Sequence, residues 1–236
     1  MTLRRAPART TYRIGHVPLQ AVEEIRDLGV ILDTKLTFAP HISKIVSQAN
    51  RALGLLIRSF QTASRGAKFE KKYLLVAYFA NVRSVLEYGC VVWAGTAKSH
   101  GERVDRVQHK FLLWLNNHTA QPCDSLSYRS LLNHFGIPSL AARRLQYDLL
   151  FLKSIFSGKI NSVELLDRFS IHVPARLTRS LRLFTERRGR VSTVCGGLLC
   201  RIPRRMNEFL AVSRADFFYD DFNTFRTQVI RYIKAL

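Results

Sequence analysis

The sequence predicts a mainly α-helical protein, a helical bundle with a small N-terminal β-hairpin and a basic, partly irregular C-terminal region. Apolar residues recur at helical spacing over several long segments, whereas both candidate strands lie before residue 34. The 236 residues are 47% hydrophobic, which allows a buried core in one large domain or two small ones. We therefore divide the chain into a hairpin segment at 1–36, a helical domain at 37–120 and a basic helical region at 121–236.

The N-terminal hairpin is predicted from two short runs. Residues 28–32 form an apolar run that is closed by turn residues at 33–35, and residues 12–17 form a second candidate strand. We expect these runs to pair antiparallel, with residues 18–24 as the connector. Gly29 has no side chain, so another backbone or a ligand can approach the strand closely there.

A strong amphipathic helix is predicted at about residues 38–60. Pro40 suits its first turn, and Thr37 is a candidate cap. One face is apolar at helical spacing, and the opposite face carries a polar stripe of four residues. The stripe consists of Lys44, Gln48, Arg51 and Arg58.

Two further helices complete the predicted bundle. The helix at 67–88 is apolar almost all round between residues 73 and 80, so we expect it at the centre. The helix at 102–117 has an apolar face, and three basic residues lie together on another face. Short connections favour antiparallel packing of these helices. The three basic residues are Arg103, Arg106 and Lys110.

The C-terminal region is predicted to be helical at 125–135, 138–156, 162–169 and 221–234. Residues 170–202 lose periodicity, and we expect an extended, partly flexible basic segment there. Its concentrated arginines favour contact with nucleic acid over a merely solvated loop. The candidate contacts are Arg179, Arg182, Arg187, Arg188 and Arg190.

The net charge of +20 indicates a polyanionic partner, because no fold requires such an excess. Nucleic acid is favoured over an anionic membrane surface. Residues 1–120 and 121–236 each carry ten more basic than acidic residues, so the charge is not a detachable tail. Polar residues interrupt the apolar run at 73–93, which therefore indicates a buried helix and no membrane span.

Four cysteines are too few for a disulfide scaffold and favour a reduced, intracellular chain. Cys195 and Cys200 lack the further ligands that a zinc site needs, so no metal site is predicted. No secretory signal is expected, although the basic, acid-free start could also mimic a mitochondrial transit peptide.

Several short motifs follow one another in a fixed order. They are Asp27-Leu28-Gly29-Val30-Ile31-Leu32-Asp33 with Leu36, Phe38 and His41; Ser84-Val85-Leu86-Glu87-Tyr88-Gly89 with Trp93; Val104-Asp105-Arg106-Val107-Gln108 with Phe111; and Ala142-Arg143-Arg144 with Tyr147-Asp148. In order and spacing they resemble the reverse transcriptase of jockey-type non-LTR retrotransposons, over roughly residues 12–230. The resemblance implies that residues 1–36 end the palm, with a hairpin that grips the primer, and that residues 37–120 form a thumb along the template–primer duplex.

The resemblance also defines the chemistry that the chain lacks. The intact family enzyme would use Mg²⁺ held by an aspartate pair in a Phe/Tyr-x-Asp-Asp hairpin upstream of the Leu-Gly-Val strand. Before Asp27 the only acids are Glu23 and Glu24, so we predict no cofactor and no polymerase activity for the isolated chain. A similar motif at 218–221 lies too far downstream, and Asp221 is better explained as an acid at a helix start.

We therefore interpret the chain as a fragment of a retrotransposon RNA-directed DNA polymerase that binds template–primer duplex or element RNA. The implied partners are nucleic acid and the missing palm, fingers and endonuclease portions. The implied location is the nucleus and the cytoplasm. The polar stripe of the helix at 38–60 and the other basic faces could instead be solvated surface. The alternative function is a stand-alone basic helical RNA-binding or adaptor protein, and a non-functional translated remnant is a third possibility.

Overall fold

A computed structural model describes residues 12–64, 70–95, 97–119, 121–173, 182–186 and 197–235. Helices dominate these residues, so the predicted mainly α fold is confirmed. Each predicted helix is present within these ranges, and two further helices, Cys90–Trp93 and Leu198–Val212, were not predicted. In chain order the helices are α1 Ala39–Ser64, α2 Lys71–Tyr78, α3 Ser84–Glu87, α4 Cys90–Trp93, α5 Lys98–Asn117, α6 Tyr128–Phe135, α7 Leu140–Phe156, α8 Val163–Leu166, α9 Leu198–Val212 and α10 Phe222–Ala235.

The N-terminal strands form two small hairpins, and the predicted pairing of residues 12–17 with 28–32 is wrong. β1 (Arg13–Ile14) pairs with β2 (Val17–Pro18), and β3 (Glu24–Asp27) pairs with β4 (Val30–Asp33). Left-handed backbone at Gly15 folds the first run back on itself. Left-handed backbone at Leu28 and Gly29 makes a turn at the start of the second run, which therefore pairs with residues 24–27 just before it.

Gly29 is therefore a turn residue. A Cβ atom there would lie 3.3 Å from Cε1 of Tyr88, so the group that approaches it closely is a side chain, not the backbone that we expected. The Tyr88 hydroxyl donates a hydrogen bond of 2.8 Å to the Leu28 carbonyl. Together these contacts fix the β3–β4 turn against the end of α3.

The start of α1 is held by Asp33. Its carboxylate accepts hydrogen bonds from the backbone N–H groups of Thr37 at 3.1 Å and Phe38 at 2.8 Å. Burial alone would raise the pKa of Asp33, but these hydrogen bonds lower it below its ordinary value. Thr37 Oγ1 accepts from Ala39 N at 3.3 Å, as its predicted capping role requires.

The first apolar cluster lies between α1, α2, α3, α5 and α6. At its centre the ring of Tyr78 stacks on Phe111, with centroids 4.0 Å apart. A π-helical turn, Phe79–Arg83, joins α2 to α3. Tyr73 and Val76 are exposed, so α2 is not surrounded by other helices as we expected. The cluster also includes Leu131, Leu132, Phe135, Ile137 and Leu140.

The second apolar cluster is built from α7, α9 and α10. Since the first cluster extends past residue 120 to Leu140, the division at 120/121 does not coincide with the gap between clusters, and the domain boundaries stay a prediction. A buried ion cluster joins two helices of the second cluster: Asp148 on α7 accepts from Arg201 and Arg205 on α9. Arg201 also donates to the Val91 carbonyl on α4 at 2.7 Å.

The predicted irregular segment contains packed structure. Ile171 and Phe184 form an antiparallel bridge, and the Asn207 side chain bonds both the N–H and the carbonyl of Phe184, at 3.0 and 2.9 Å. From Leu198 the chain is helical. Pro203 inside α9 weakens the sequence signal of this helix, because proline lacks the N–H donor that a helix interior uses.

Candidate nucleic-acid interface

The polar stripe of α1, which we call the α1 stripe, consists of Lys44, Gln48, Arg51 and Arg58. These positions fall on one side of the helix and extend over roughly 21 Å at 1.5 Å per residue. Gln48 and both arginines are exposed, and Lys44 is half-buried. The 26 residues of α1 include no acidic side chain.

Within the parts of the chain that the structure describes, no ion pair involves the cations of the α1 stripe. Leu55, which is 60% exposed, lies between Arg51 and Arg58 and is the one apolar member of this face. The stripe can therefore offer a row of uncompensated positive charges without presenting a base-reading surface.

The α5 residues divide into two groups. Arg103 Nη2 donates to Ser43 Oγ at 3.0 Å, which places Arg103 beside the N-terminal end of the α1 stripe. Arg106 and Lys110 are exposed one and two turns further along α5, and Arg106 Nε donates to the Glu102 carbonyl at 3.3 Å. Packing thus brings Arg103 to α1, while no described contact joins the other two to that helix.

A cleft of about 400 Å³ adjoins the α1 stripe, and we call it the hairpin cleft. The β3–β4 hairpin forms one side of the cleft, and α1 and α3 form the others. Lys44 and Gln48 of the stripe line it, and Arg26 on β3 adds a third polar group that sequence reasoning did not select. The remaining lining residues are Leu28, Gly29, His41, Ile45, Val85 and Tyr88.

His41 lines this cleft although it is only 1% exposed. Its Nδ1 accepts a hydrogen bond from the Ile31 N–H at 3.4 Å, so the neutral ring carries its proton on Nε2. Nε2 has no hydrogen-bond partner within the described structure. Burial, and then the neighbouring charge of Lys44, lowers the pKa of His41, which keeps the ring uncharged at neutral pH.

A second cleft, of about 410 Å³, lies on the other side of Tyr88, and we call it the arginine cleft. Arg143 donates two hydrogen bonds to the Glu87 carboxylate, at 2.7 and 2.8 Å, and the Tyr147 hydroxyl donates a third at 3.0 Å. The hydrogen bond to Glu87 raises the pKa of Arg143. Arg83 lies 3.8 Å from the same carboxylate, so both cations of this cleft share a buried anion.

The C-terminal basic residues are only partly placed. Arg182 is exposed, two residues before the buried Phe184. The other candidates, Arg179, Arg187, Arg188 and Arg190, lie outside the described residues. Their predicted role in binding therefore stays a prediction.

The sequence at 218–221 has a structural role at the start of α10. Asp221 Oδ2 accepts from the N–H groups of Asn223 at 3.0 Å and Thr224 at 3.4 Å, so the predicted role at a helix start is confirmed. Hydrogen bonds from Thr224, and then Asn223, lower the pKa of Asp221. Phe217 is buried, whereas the neighbouring Phe218 is 53% exposed.

Two kinds of feature are absent from the described residues. No group of three or more histidine, cysteine, aspartate or glutamate side chains there is arranged to hold a metal ion. None of the helices in those same ranges combines the length and apolar character needed to cross a membrane.

Comparison with known proteins gives one relative. No protein-family model and no solved structure matches the chain. The chain is 28% identical over 109 residues to a probable RNA-directed DNA polymerase from transposon X-element of Drosophila melanogaster. The match covers 46% of this chain and 12% of that protein, so the chain spans about an eighth of the length of its relative. The similarity supports a reverse-transcriptase-related origin for this chain.

Proposed function

We propose that the chain is the C-terminal, thumb-like part of a jockey-type retrotransposon reverse transcriptase and that it binds the phosphate backbone of a template–primer duplex or element RNA. The α1 stripe is the principal contact, extended by Arg103 at its N-terminal end. Arg106, Lys110 and the arginines between residues 179 and 190 supply further contacts. The partial similarity to a transposon RNA-directed DNA polymerase supports the duplex or element RNA as the ligand.

One observation carries this proposal: α1 is a long helix with three cations on its outer face and no acidic side chain. A phosphate backbone is a row of regularly spaced anions, and Lys and Arg side chains contact it without reading bases. Each contact releases a condensed counterion, so binding becomes weaker as salt rises. Sequence-tolerant, strongly salt-dependent affinity is therefore the expected mode.

The charge-removal test uses the variant with Lys44→Gln, Arg51→Gln and Arg58→Gln. Losing three phosphate contacts should flatten the slope of log affinity against log salt by roughly 2 to 2.7, from about 0.7 to 0.9 per contact. Thermal stability should stay nearly unchanged, because exposed charges contribute little to folding. Titration of an RNA–DNA hybrid at several salt concentrations measures the slope, and thermal denaturation monitored by circular dichroism measures stability.

The matched control replaces three exposed lysines outside the α1 stripe, Lys35, Lys72 and Lys98, with glutamine. It has the same net charge as the stripe variant, so any effect of overall charge is shared. Equal slopes in both variants would refute the role of the α1 stripe and favour the adaptor protein. Replacing Arg179, Arg182, Arg187 and Arg188 with glutamine tests the C-terminal contacts in the same assay, independently of α1.

The isolated chain is expected not to extend a primer. Two-metal catalysis needs paired carboxylates, and Glu23 and Glu24 are the only acids before Asp27. The assay gives the purified chain a template–primer, the four dNTPs and Mg²⁺ or Mn²⁺, with an active reverse transcriptase as positive control. Incorporation that co-purifies with the chain through several columns would contradict the proposal.

The proposal assigns the remaining chemistry to other parts of a longer protein. Palm, fingers and endonuclease portions would be the protein partners of this chain, and the palm would bind Mg²⁺. The expected location of the protein is the nucleus and the cytoplasm. A stand-alone RNA-binding or adaptor role is the second candidate, favoured by the net charge of +20 alone.

A further inference from the structure

The arginine cleft contains a cation whose hydrogen-bond donors are unused. Arg83 lies 3.8 Å from the Glu87 carboxylate, beyond hydrogen-bond distance, and it donates no hydrogen bond within the described parts of the chain. Its guanidinium carbon lies 3.7 Å from the centre of the Phe79 ring. Burial lowers the pKa of Arg83 in spite of the attraction of Glu87, so the charge has lost water that no group fully replaces. The cleft therefore offers N–H donors to an acceptor from outside.

Aromatic surface surrounds these donors. Three rings line the cleft, those of Phe79, Tyr88 and Tyr147. Its two cations, Arg83 and Arg143, share one anion, Glu87, which leaves one net positive charge among the lining residues. Rings pack well against other rings and against guanidinium groups, and the excess charge attracts a carboxylate. The cleft thus suits a ligand that combines an aromatic ring with an acidic group.

The segment between α9 and α10 presents such a combination. It consists of residues 216–221, Asp216-Phe217-Phe218-Tyr219-Asp220-Asp221, and we call it the acidic turn. Tyr219 is 92% exposed. Three of the 17 acidic residues of the chain fall within these six positions, which hold no basic residue. The acidic turn is therefore a locally negative surface with a projecting ring, on a chain whose net charge is +20.

The acidic turn is held in one conformation by hydrogen bonds from within and from α7. The Asp216 Oδ1 atom accepts from the N–H groups of Phe218 at 2.9 Å and Tyr219 at 3.0 Å. The buried Lys153 of α7 donates to two backbone carbonyls of the turn, each at 2.6 Å. A ring presented on a fixed backbone loses little conformational entropy when it binds, which favours affinity.

We propose that the acidic turn of one copy of this chain inserts Tyr219 into the arginine cleft of a second copy. The ring of Tyr219 packs among the three rings of the cleft, and the carboxylates of the turn face Arg83. Charge complementarity between these two surfaces selects the second copy as the partner. Arg143 and Lys153, which mark the cleft and the turn, are roughly 15 Å apart along α7 at 1.5 Å per residue. A two-fold pair of copies can therefore make both contacts at once.

Sedimentation velocity at one fixed salt concentration tests this pairing. The mass of the unaltered chain should rise from that of one copy toward that of two as its concentration increases. Tyr219→Ser removes the ring, and Ser84→Trp fills the cleft from an exposed lining position. Each variant should raise the dimer dissociation constant at least about tenfold. Tyr73→Ser, which removes an exposed ring outside both surfaces, should dimerise like the unaltered chain. Thermal denaturation checks that all three variants fold.

Mixing the two defective variants shows whether the contact joins the turn to the cleft. In a mixed pair, the intact turn of Ser84→Trp meets the intact cleft of Tyr219→Ser, so one of the two contacts is restored. An equimolar mixture should therefore associate more strongly than either variant alone. Mixing cannot restore association that was lost through misfolding, so the absence of any gain would overturn the proposed insertion.

The remaining outcomes separate this inference from nucleic-acid binding. A chain that stays monomeric at all concentrations, or that associates equally well in both variants, overturns the inference. Association that requires added RNA–DNA hybrid also overturns it, because nucleic acid would then bridge the copies. The α1 stripe variant should dimerise like the unaltered chain, since the stripe lies outside both surfaces. The salt dependence of hybrid binding can therefore fail or stand independently of the dimer.

Discussion

Replacing Asp148 with asparagine is expected to lower the free energy of unfolding by about 3 to 5 kcal/mol. The Asp148 side chain is fully buried, and its carboxylate accepts from Arg201 Nε at 2.8 Å, Arg201 Nη2 at 3.0 Å and Arg205. Asparagine removes the charge and turns an N–H₂ donor toward guanidinium donors. Two guanidinium groups, one buried and one half-buried, would then lose the carboxylate that they share. Urea denaturation followed by circular dichroism measures the change.

Two control variants test whether the loss of stability in Asp148→Asn comes from the buried ion cluster. Glu208→Gln breaks the exposed pair with Arg204, at 3.9 Å, and should change stability by less than about 0.5 kcal/mol. Replacing Asp148, Arg201 and Arg205 together by leucine, methionine and leucine should restore much of the loss, because apolar side chains of similar volume often substitute for a buried ion cluster. Unaltered stability of Asp148→Asn would show that the ion cluster does not hold α9 against α7.

Replacing Glu87 with glutamine is expected to lower the free energy of unfolding by about 2 to 3 kcal/mol, somewhat less than a fully buried pair costs. The Glu87 side chain is 8% exposed and Arg143 is 18% exposed, so the pair is only partly screened by water. Glutamine keeps the shape of the side chain and one acceptor oxygen, but it loses the charge and can no longer accept both parallel hydrogen bonds from Arg143. Urea denaturation gives the magnitude.

Tyr147→Phe is the matched variant for this network. It removes the hydroxyl that donates to Glu87 at 3.0 Å and accepts from Arg143 Nη2 at 2.7 Å, and it leaves the Glu87–Arg143 pair intact. Its cost should be about 2 kcal/mol, since each of the two hydrogen bonds usually contributes about 1 kcal/mol. If Glu87→Gln costs no more than Tyr147→Phe, the charge on Glu87 contributes nothing beyond its hydrogen bonds.

The helices could be predicted from the sequence because their signals are local. Gly136 takes the left-handed conformation that ends α6, and Ser162 Oγ accepts from Leu165 N at the start of α8. The hairpin register could not be predicted, since it depends on which glycines adopt positive φ. Two runs read as straight strands each contain a turn, at Gly15 and at Gly29.

One part of the candidate interface could also be predicted from the sequence, and another part could not. The α1 stripe follows from the spacing of residues on one helix, and the structure keeps them on one exposed face. The hairpin cleft does not follow from local spacing, because two residues that line it, Leu28 and Tyr88, are sixty positions apart and are joined by a hydrogen bond. The ion pair of Asp148 with Arg201 likewise spans fifty-three positions. Sequence spacing indicates which charges are available but not which ones packing neutralises.

The π-helical turn Phe79–Arg83 explains how buried side chains that are each four residues apart can all face one core. Leu74, Tyr78, Val82 and Leu86 are all buried. In a regular α-helix of 3.6 residues per turn, each four-residue step advances the side chain by about 40° around the axis. Three such steps would carry Leu86 roughly 120° away from Leu74. A π-helical turn holds more residues than an α-helical turn, so a four-residue step there rotates the side chain in the opposite direction. The π-helical turn therefore offsets part of the rotation and lets Leu74 and Leu86 face the same core.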